Sequence, residues 1–142
     1  MLIVIANLLT ALNQLLKQNH LVSENYQNHL LFERLGEGID EDIDRVKEIA
    51  LACGYSEDIA NAQKSLAAAS EVLEEFSDIE LLEKHIITKI NQFIDELNNN
   101  ETETLDGVFN EYTAKQAVCN MLGDIAEKRT RDLYLLRFGG RQ

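Results

Sequence analysis

Two histidines and a series of carboxylates are the side chains of this sequence best suited to bind a transition metal. His29 and Glu33 are four positions apart, and so are Asp44 and Glu48, so that each pair lies on one face of a helix and can chelate an ion. His20 adds a second imidazole upstream. Imidazole nitrogens and carboxylate oxygens suit Fe²⁺, and anionic ligands favour its oxidation to Fe³⁺. The residue types therefore predict an iron site with redox chemistry.

The two pairs cannot bind one ion within a single straight helix. His29 and Asp44 are fifteen positions apart, which is about 22 Å along a helix at 1.5 Å per residue. A second copy of the chain, running antiparallel, could place its Asp44 and Glu48 against the histidine end of the first. A site within one bundle would need Glu-x-x-His motifs, and the sequence has none. The spacing therefore predicts a site shared by two subunits.

The elements that must position these side chains are predicted to be helices. Apolar residues recur every three or four positions along nearly the whole sequence, which has no proline and only seven glycines in 142 residues. No linker divides the chain, so residues 1–142 are predicted to form one all-α domain. Four long helices are predicted, over 2–21, 26–53, 70–98 and 105–137. Gly54 is predicted to end the second of them. A short helix near 57–69, capped by Ser56, is predicted between the second and the third.

Three segments together carry a family pattern. The spacing from His29 to Glu48 is the first, KEIALACGY at the end of the second predicted helix is the second, and MLGDIAEKRTRDLYLLR, with Asp124 and Tyr134 to Arg137, is the third. On these segments the sequence resembles the Dps family, ferritin-like proteins named for protecting DNA during starvation. With ANLLTALNQLLKQNH matching the family's first helix, the resemblance spans nearly the whole chain.

The resemblance implies a fold, an assembly and an activity. It implies a ferritin-like antiparallel four-helix bundle with an extra short helix, assembled through two-fold dimers into a twelve-subunit shell. It implies a ferroxidase that oxidises Fe²⁺ with hydrogen peroxide or oxygen and stores ferric iron, which protects against oxidative stress. The implied catalytic residues are His29, Glu33, Asp44 and Glu48, and His20 joins them as a metal ligand. Acidic residues around the start of the last predicted helix resemble in position the acidic lining of the family's three-fold pores, which would draw Fe²⁺ inward: Glu101, Glu103, Asp106 and Glu111.

The sequence departs from the family pattern at three positions around the site. The gap between His20 and His29 is three residues shorter than usual, Glu33 stands where aspartate is more typical, and Leu21 replaces a tryptophan. His20 is therefore expected to complete the site if the shorter connection lets it reach.

Charge and composition bear on partners and location. The net charge of −12 disfavours direct DNA binding, which depends on cations that neutralise phosphates. The apolar start of the chain continues in helical register and is too short and polar to span a membrane. Cys53 and Cys119 lack a zinc-type pairing and fall where small buried residues fit a helix. They are predicted to be packing residues in a reducing, cytoplasmic setting, with a single disulfide between them as the alternative.

Two other classes of function stay open. The acidic residues of the second predicted helix could simply form a solvated helix face: Glu33, Glu37, Asp40, Glu41, Asp44 and Glu48. The protein would then be a catalytically silent Dps-like shell or dimer with a structural or interaction role. Alternatively, a helical bundle without a cage could use its acidic surface to bind a basic partner. His85 has no counterpart in the family pattern and is predicted to be a surface residue.

Overall fold

All regular elements in the described part of the chain are helical, as predicted. The computed structural model describes residues 1–99 and 111–138, and only the backbone of 111–114. No described helix is both long and apolar enough to cross a membrane. The elements are α1 (Leu2–Val22), α2 (Tyr26–Gly36), α3 (Ile39–Ala52), a 3₁₀ helix (Glu57–Ala60), α4 (Ala62–Glu75), α5 (Ile79–Asn98) and α6 (Glu111–Phe138).

The predicted second helix, 26–53, is wrong as one continuous element. It is interrupted between Gly36 and Ile39, where Gly38 has a φ of 80°, a left-handed conformation that residues with a Cβ rarely adopt. The Gly-Glu-Gly sequence at 36–38 is the signal for this break. His29 and Glu33 therefore lie on a different helix from Asp44 and Glu48.

The predicted third helix, 70–98, is also interrupted. The Asp78 side chain accepts a hydrogen bond from the backbone N–H of Leu81 and so caps a new helix, α5. Ser56 caps only the 3₁₀ turn, and Asn61 caps α4 through the backbone N–H of Lys64. The short helix predicted near 57–69 is thus replaced by a 3₁₀ turn and a fourteen-residue helix.

The predicted end of the second helix at Gly54 can be compared with the structure, whereas the predicted start of the last helix cannot. Gly54 has a φ of 91° just after α3, as expected of a residue that ends a helix. The predicted start of the last helix at 105, and the acidic residues Glu101, Glu103 and Asp106, lie outside the described residues. The Glu111 side chain lies outside them too.

The first helix is the centre of the packing. It contacts α2, α3, α4 and α5, whereas α6 packs on α5 and along α2 and α3. The backbone N–H of Leu2 donates to the Tyr55 hydroxyl, and the His20 ring stacks on the His29 ring. The start of α1 lies beside Tyr55, just after the end of α3, and the end of α1 lies beside His29, near the start of α2. Helix α1 therefore runs antiparallel to both helices.

The core is aliphatic, with one phenylalanine at its centre. Leu30, which periodicity places inside, is 44% exposed, because α2 lies at the edge of the fold and buries only Leu35 completely. The largest fully buried apolar side chains are Leu2, Ile5, Leu9, Leu12, Leu16, Leu35, Ile39, Leu82, Ile86, Ile90 and Phe93.

A charged cluster is buried between α5 and α6. The Arg129 guanidinium donates to Glu83 at 3.1 Å and pairs with Asp132 at 3.0 Å, and all three residues are buried. Burial, followed by the charge and hydrogen bond of Asp132, raises the pKa of Glu83 to about 9, although Arg129 opposes the rise. The cluster therefore keeps one proton at neutral pH, and its net charge is zero.

This retained proton predicts a pH-dependent stability. The unfolded chain releases it near the ordinary carboxyl pKa of 4.5, whereas the folded chain holds it to about pH 9, so the free energy of unfolding falls as pH rises between those values. Glu83→Gln keeps a hydrogen-bond acceptor for Arg129 and has no proton to lose. We expect this variant to be more stable than wild type at pH 8 by something on the order of 2 kcal/mol, since a tenfold change in proton affinity corresponds to about 1.4 kcal/mol.

Urea unfolding between pH 5 and pH 8 measures this difference. It should shrink towards pH 5, where the Glu83 carboxyl is protonated in more of the unfolded chains. Glu80→Gln, at an exposed position of the same helix, is the control and should leave the pH profile of wild type unchanged. Parallel profiles for wild type and Glu83→Gln would show that Glu83 does not retain a proton.

Candidate metal centre

A tight connection between α1 and α2 brings two histidines together. Only three residues, 23–25, separate the helices, and the Asn25 side chain caps α2 by accepting from the backbone N–H of Gln27 at 2.7 Å. His20 lies in the last turn of α1, and His29 lies in the first turns of α2. Because the helices are antiparallel, the two side chains meet.

The two imidazole rings are in direct contact. Their centroids are 3.8 Å apart, and the ring planes are inclined by 28°. His29 Nδ1 lies 3.0 Å from the carbonyl oxygen of His20, which can only accept, so Nδ1 carries the proton. This contact leaves the lone pair of His29 Nε2 free for a metal, and a backbone carbonyl is a common partner for the second nitrogen of a metal-binding histidine.

Glu33 completes a group of three potential ligands. One ligand atom each from His20, His29 and Glu33 lies within 4.8 Å of the others. The Nε2 atom of His20 is buried and has no hydrogen-bond partner among the described residues, which is unusual for a buried polar atom. A bound cation would satisfy it. The shorter gap between the histidines therefore does not displace His20 from the group.

The group opens into a cleft of about 190 Å³ between α1 and the α2–α3 break. Asn13, which the metal-binding pattern does not include, donates to an Asp40 carboxylate oxygen at 2.8 Å across this cleft and joins the two sides. Lys17 brings a positive charge to the same wall. The lining residues are Asn13, Leu16, Lys17, His20, Phe32, Glu33, Gly36 and Asp40.

Asp44 and Glu48 lie apart from this group. Both are exposed on α3, whose buried side includes Ile43 and Val46. Within the part of the chain that the structure describes, neither carboxylate belongs to the group that could hold an ion. One chain therefore brings together three of the five predicted ligands and leaves the other two facing outward.

Large apolar side chains are exposed beside the histidines. Leu21 is 81% exposed, Val22 69% and Tyr26 72%. They are the three most exposed of the large apolar side chains in the described part of the chain. All three residues lie within six positions of His20 along the chain.

Several ionisable residues differ from what the sequence indicates. His85, predicted to be on the surface, is half-buried and stacks on Phe76 at a centroid distance of 4.5 Å, and burial lowers its pKa. Asp42 is buried and pairs with Lys128 at 3.0 Å, a contact between distant helices that no local pattern indicates. The two cysteines agree with the prediction of packing positions, since Cys53 is buried and Cys119 half-buried, both as free thiols.

No family model, curated protein or solved structure matches this chain. Function is therefore inferred from the side chains themselves. Two imidazoles and one carboxylate are a ligand set used by Fe²⁺ sites that react with oxygen species and by catalytic Zn²⁺ sites, and both keep coordination positions open. The donors present fit a divalent transition metal.

Proposed function

We propose that the protein binds Fe²⁺ at the His20, His29 and Glu33 group, oxidises it with hydrogen peroxide and stores the ferric product in an oligomeric shell, as a divergent member of the Dps family. The observation that carries the proposal is the buried, unpartnered Nε2 of His20 beside two further ligand atoms. A cation bound to His20 Nε2 would remove the free-energy cost of burying this nitrogen without a hydrogen-bond partner.

The packing of the helices supports a ferritin-like arrangement. Contacts join α1 to α3, α3 to α6, α6 to α5 and α5 to α1, which makes a closed ring of four neighbours with α4 as a connecting helix. Lys128 pairs with Asp42 and Asp124 with Arg45, so α3 and α6 run in opposite directions. A ring of this kind is what a four-helix bundle requires.

The chemistry follows from the donor set. Each of two Fe²⁺ ions gives up one electron, and one hydrogen peroxide accepts both electrons with two protons to form two molecules of water. The Glu33 carboxylate, one of the anionic ligands, stabilises the higher charge of the Fe³⁺ product. The reaction removes both Fe²⁺ and peroxide, the two ingredients of hydroxyl-radical formation.

A second copy of the chain would complete the coordination. Asp44 and Glu48 are exposed and four positions apart on α3, so that the two carboxylates of a neighbouring subunit could bind the ion held by His20, His29 and Glu33. We propose two-fold dimers as the unit that carries the activity and a twelve-subunit shell as the store.

Removal of two ligands tests the proposal. His29→Ala/Glu33→Ala should weaken Co²⁺ binding by more than about 100-fold, because even outer-shell partners of metal ligands contribute 10–100-fold. It should also abolish peroxide-dependent Fe²⁺ oxidation. The Co²⁺ absorption bands and the rate of Fe³⁺ formation are the measurements.

The third histidine provides a matched control. His85→Gln changes a histidine that is absent from the ligand group and should leave both Co²⁺ binding and iron oxidation as in wild type. If His29→Ala/Glu33→Ala bound Co²⁺ and oxidised Fe²⁺ as wild type does, the metal centre would lie elsewhere.

A second candidate is a Dps-like protein that binds metal weakly and is catalytically silent. The observation that favours it is Lys17, whose cationic side chain lines the same cleft as His20 and Glu33 and would oppose a metal ion by charge repulsion. Co²⁺ binding without peroxide-dependent Fe²⁺ oxidation would select this candidate.

A further inference from the structure

The cleft beside the candidate metal centre has two walls that different helices provide. Asn13 and His20 line the wall formed by α1, where seven positions correspond to about two turns and leave both side chains on one face. Glu33 lines the opposite wall on α2, and Asp40 continues that wall on α3, beyond the break at Gly38. The relative position of the two walls therefore decides whether Glu33 reaches the histidines.

The histidine end of the cleft is held by short contacts. The 23–25 connection joins α1 directly to α2, and His29 Nδ1 lies 3.0 Å from the carbonyl oxygen of His20. These contacts keep His29 beside His20, but they leave α2 free to pivot about its first turn. Because α2 buries only Leu35 completely, its own packing gives little resistance to such a movement.

The other end of the cleft is held by Asn13. Its Nδ2 donates to Asp40 Oδ1 at 2.8 Å, and a hydrogen bond to an ionised acceptor is stronger than one between neutral groups. Asn13 is only 7% exposed, so its side chain is fixed by the surrounding core. Since Asp40 lies two positions after Gly38, this hydrogen bond attaches the corner between α2 and α3 to α1.

We propose that Asn13 is a positioning residue of the metal centre. Its hydrogen bond to Asp40 sets the angle between α1 and α2, and this angle keeps Glu33 within reach of an ion at the two histidines. The inference rests on the proposed function for the metal site itself. It gives Asn13 no contact with the ion, because the three ligand atoms come from His20, His29 and Glu33.

Asn13→Ala tests the role of this hydrogen bond. The substitution leaves the net charge unchanged, and water can replace the lost amide at the exposed Asp40. We expect Co²⁺ binding to weaken by about 10-fold, the lower end of the range found for residues that orient metal ligands. Titration of the Co²⁺ absorption bands in the absence of oxygen measures the affinity. The spectrum should change towards that of Glu33→Ala, because the same ligand is lost.

An exchange of donor and acceptor provides the rescue. In Asn13→Asp/Asp40→Asn the amide at position 40 can donate to the carboxylate at position 13, and the net charge stays the same. We expect this variant to bind Co²⁺ with close to wild-type affinity and with the wild-type spectrum. A requirement for asparagine at position 13 in packing alone would not be met by the exchange.

A double-mutant cycle shows whether Asn13 acts through Glu33. Substitutions at independent sites have additive effects, whereas those at coupled sites do not. We therefore expect Asn13→Ala/Glu33→Ala to bind Co²⁺ as Glu33→Ala does alone. Ser65→Ala is the matched control, because it removes a hydrogen bond that Lys47 donates at 3.0 Å and lies outside the cleft. Its Co²⁺ affinity should equal that of wild type.

Asp40→Ala removes the acceptor of the same hydrogen bond from an exposed position, so it tests the inference even if Asn13→Ala does not fold. It should weaken Co²⁺ binding more than Glu41→Ala, which removes the same charge from the next residue, also exposed.

The outcomes distinguish this inference from the proposed function. Wild-type Co²⁺ affinity in Asn13→Ala, no recovery in the exchange variant, or additive effects of Asn13→Ala and Glu33→Ala would each overturn the positioning role and leave the metal site standing. Equal affinities of Asp40→Ala and Glu41→Ala would overturn it too. A wild-type chain that does not bind Co²⁺ would overturn both the inference and the proposed function.

Discussion

Mixing an Asp44→Ala/Glu48→Ala variant with a His29→Ala/Glu33→Ala variant is expected to restore part of the iron oxidation that each variant lacks alone. The first keeps the histidine half of the site, and the second keeps the carboxylate half. At the proposed two-fold interface, a pair of the two variants would contain one complete site and one that lacks all four replaced ligands, because each chain would contribute the same surface patch. Activity would return without any change in either sequence.

The expected recovery has a definite size. With equal amounts and random pairing at two-fold interfaces, about a quarter of the sites would hold all intact ligands. The variants are unfolded in urea, mixed and refolded, and peroxide-dependent Fe³⁺ formation is compared with wild type treated identically. His20→Ala should lose less activity than either double variant, because His29, Glu33 and the partner carboxylates remain. Mixed assemblies that form by native mass spectrometry and have no activity would exclude a shared site.

Arg129→Met is expected to be the most destabilising single substitution proposed for this chain. Arg129 is 1% exposed and pairs with Glu83 and Asp132, so its removal leaves the buried Asp132 carboxylate without a positive partner. Breaking a buried pair in this way costs about 3–5 kcal/mol. Urea unfolding followed by far-UV circular dichroism at pH 7 measures the loss.

Arg131→Met is the matched control for Arg129→Met. Arg131 pairs with Glu127 one turn away on the exposed side of α6, and Arg131→Met should cost less than about 1 kcal/mol, as exposed pairs usually do. The triple variant Arg129→Met/Glu83→Leu/Asp132→Leu should recover much of the stability, because it removes the buried charges together. Equal effects of Arg129→Met and Arg131→Met would show that the cluster is not buried in solution.

The sequence predicts the helical class correctly but misses two breaks, one within 26–53 and one within 70–98. Apolar spacing continues across both breaks, with Leu35 and Ile39 on either side of one and Phe76 and Ile79 on either side of the other. A periodicity argument therefore joins the segments. Local backbone conformation and capping interrupt the helices at these two places. Gly38 takes a left-handed conformation, and Asp78 caps a new helix.

The candidate site is predictable in part. His29 and Glu33 follow from their spacing on one helix, whereas the proximity of His20 depends on how tightly the 23–25 connection turns. The buried group of Glu83, Arg129 and Asp132 has no sequence signal, because charged residues three apart on a helix usually lie at the surface. Asp44 and Glu48 stay a prediction as ligands, since their proposed partners are on another chain.

The sparse packing of α2 on the rest of the fold affects how the candidate metal centre would release an ion. This helix has eleven residues, of which only Leu35 is fully buried, and a helix so short is not stable by itself in water. Its free energy of local unfolding is therefore expected to be low compared with that of α1, α3 or α5, which bury several large side chains. When α2 unfolds, His29 and Glu33 move away together while His20 stays on α1. Residence time of an ion at the centre would then follow the lifetime of one helix rather than the strength of three bonds.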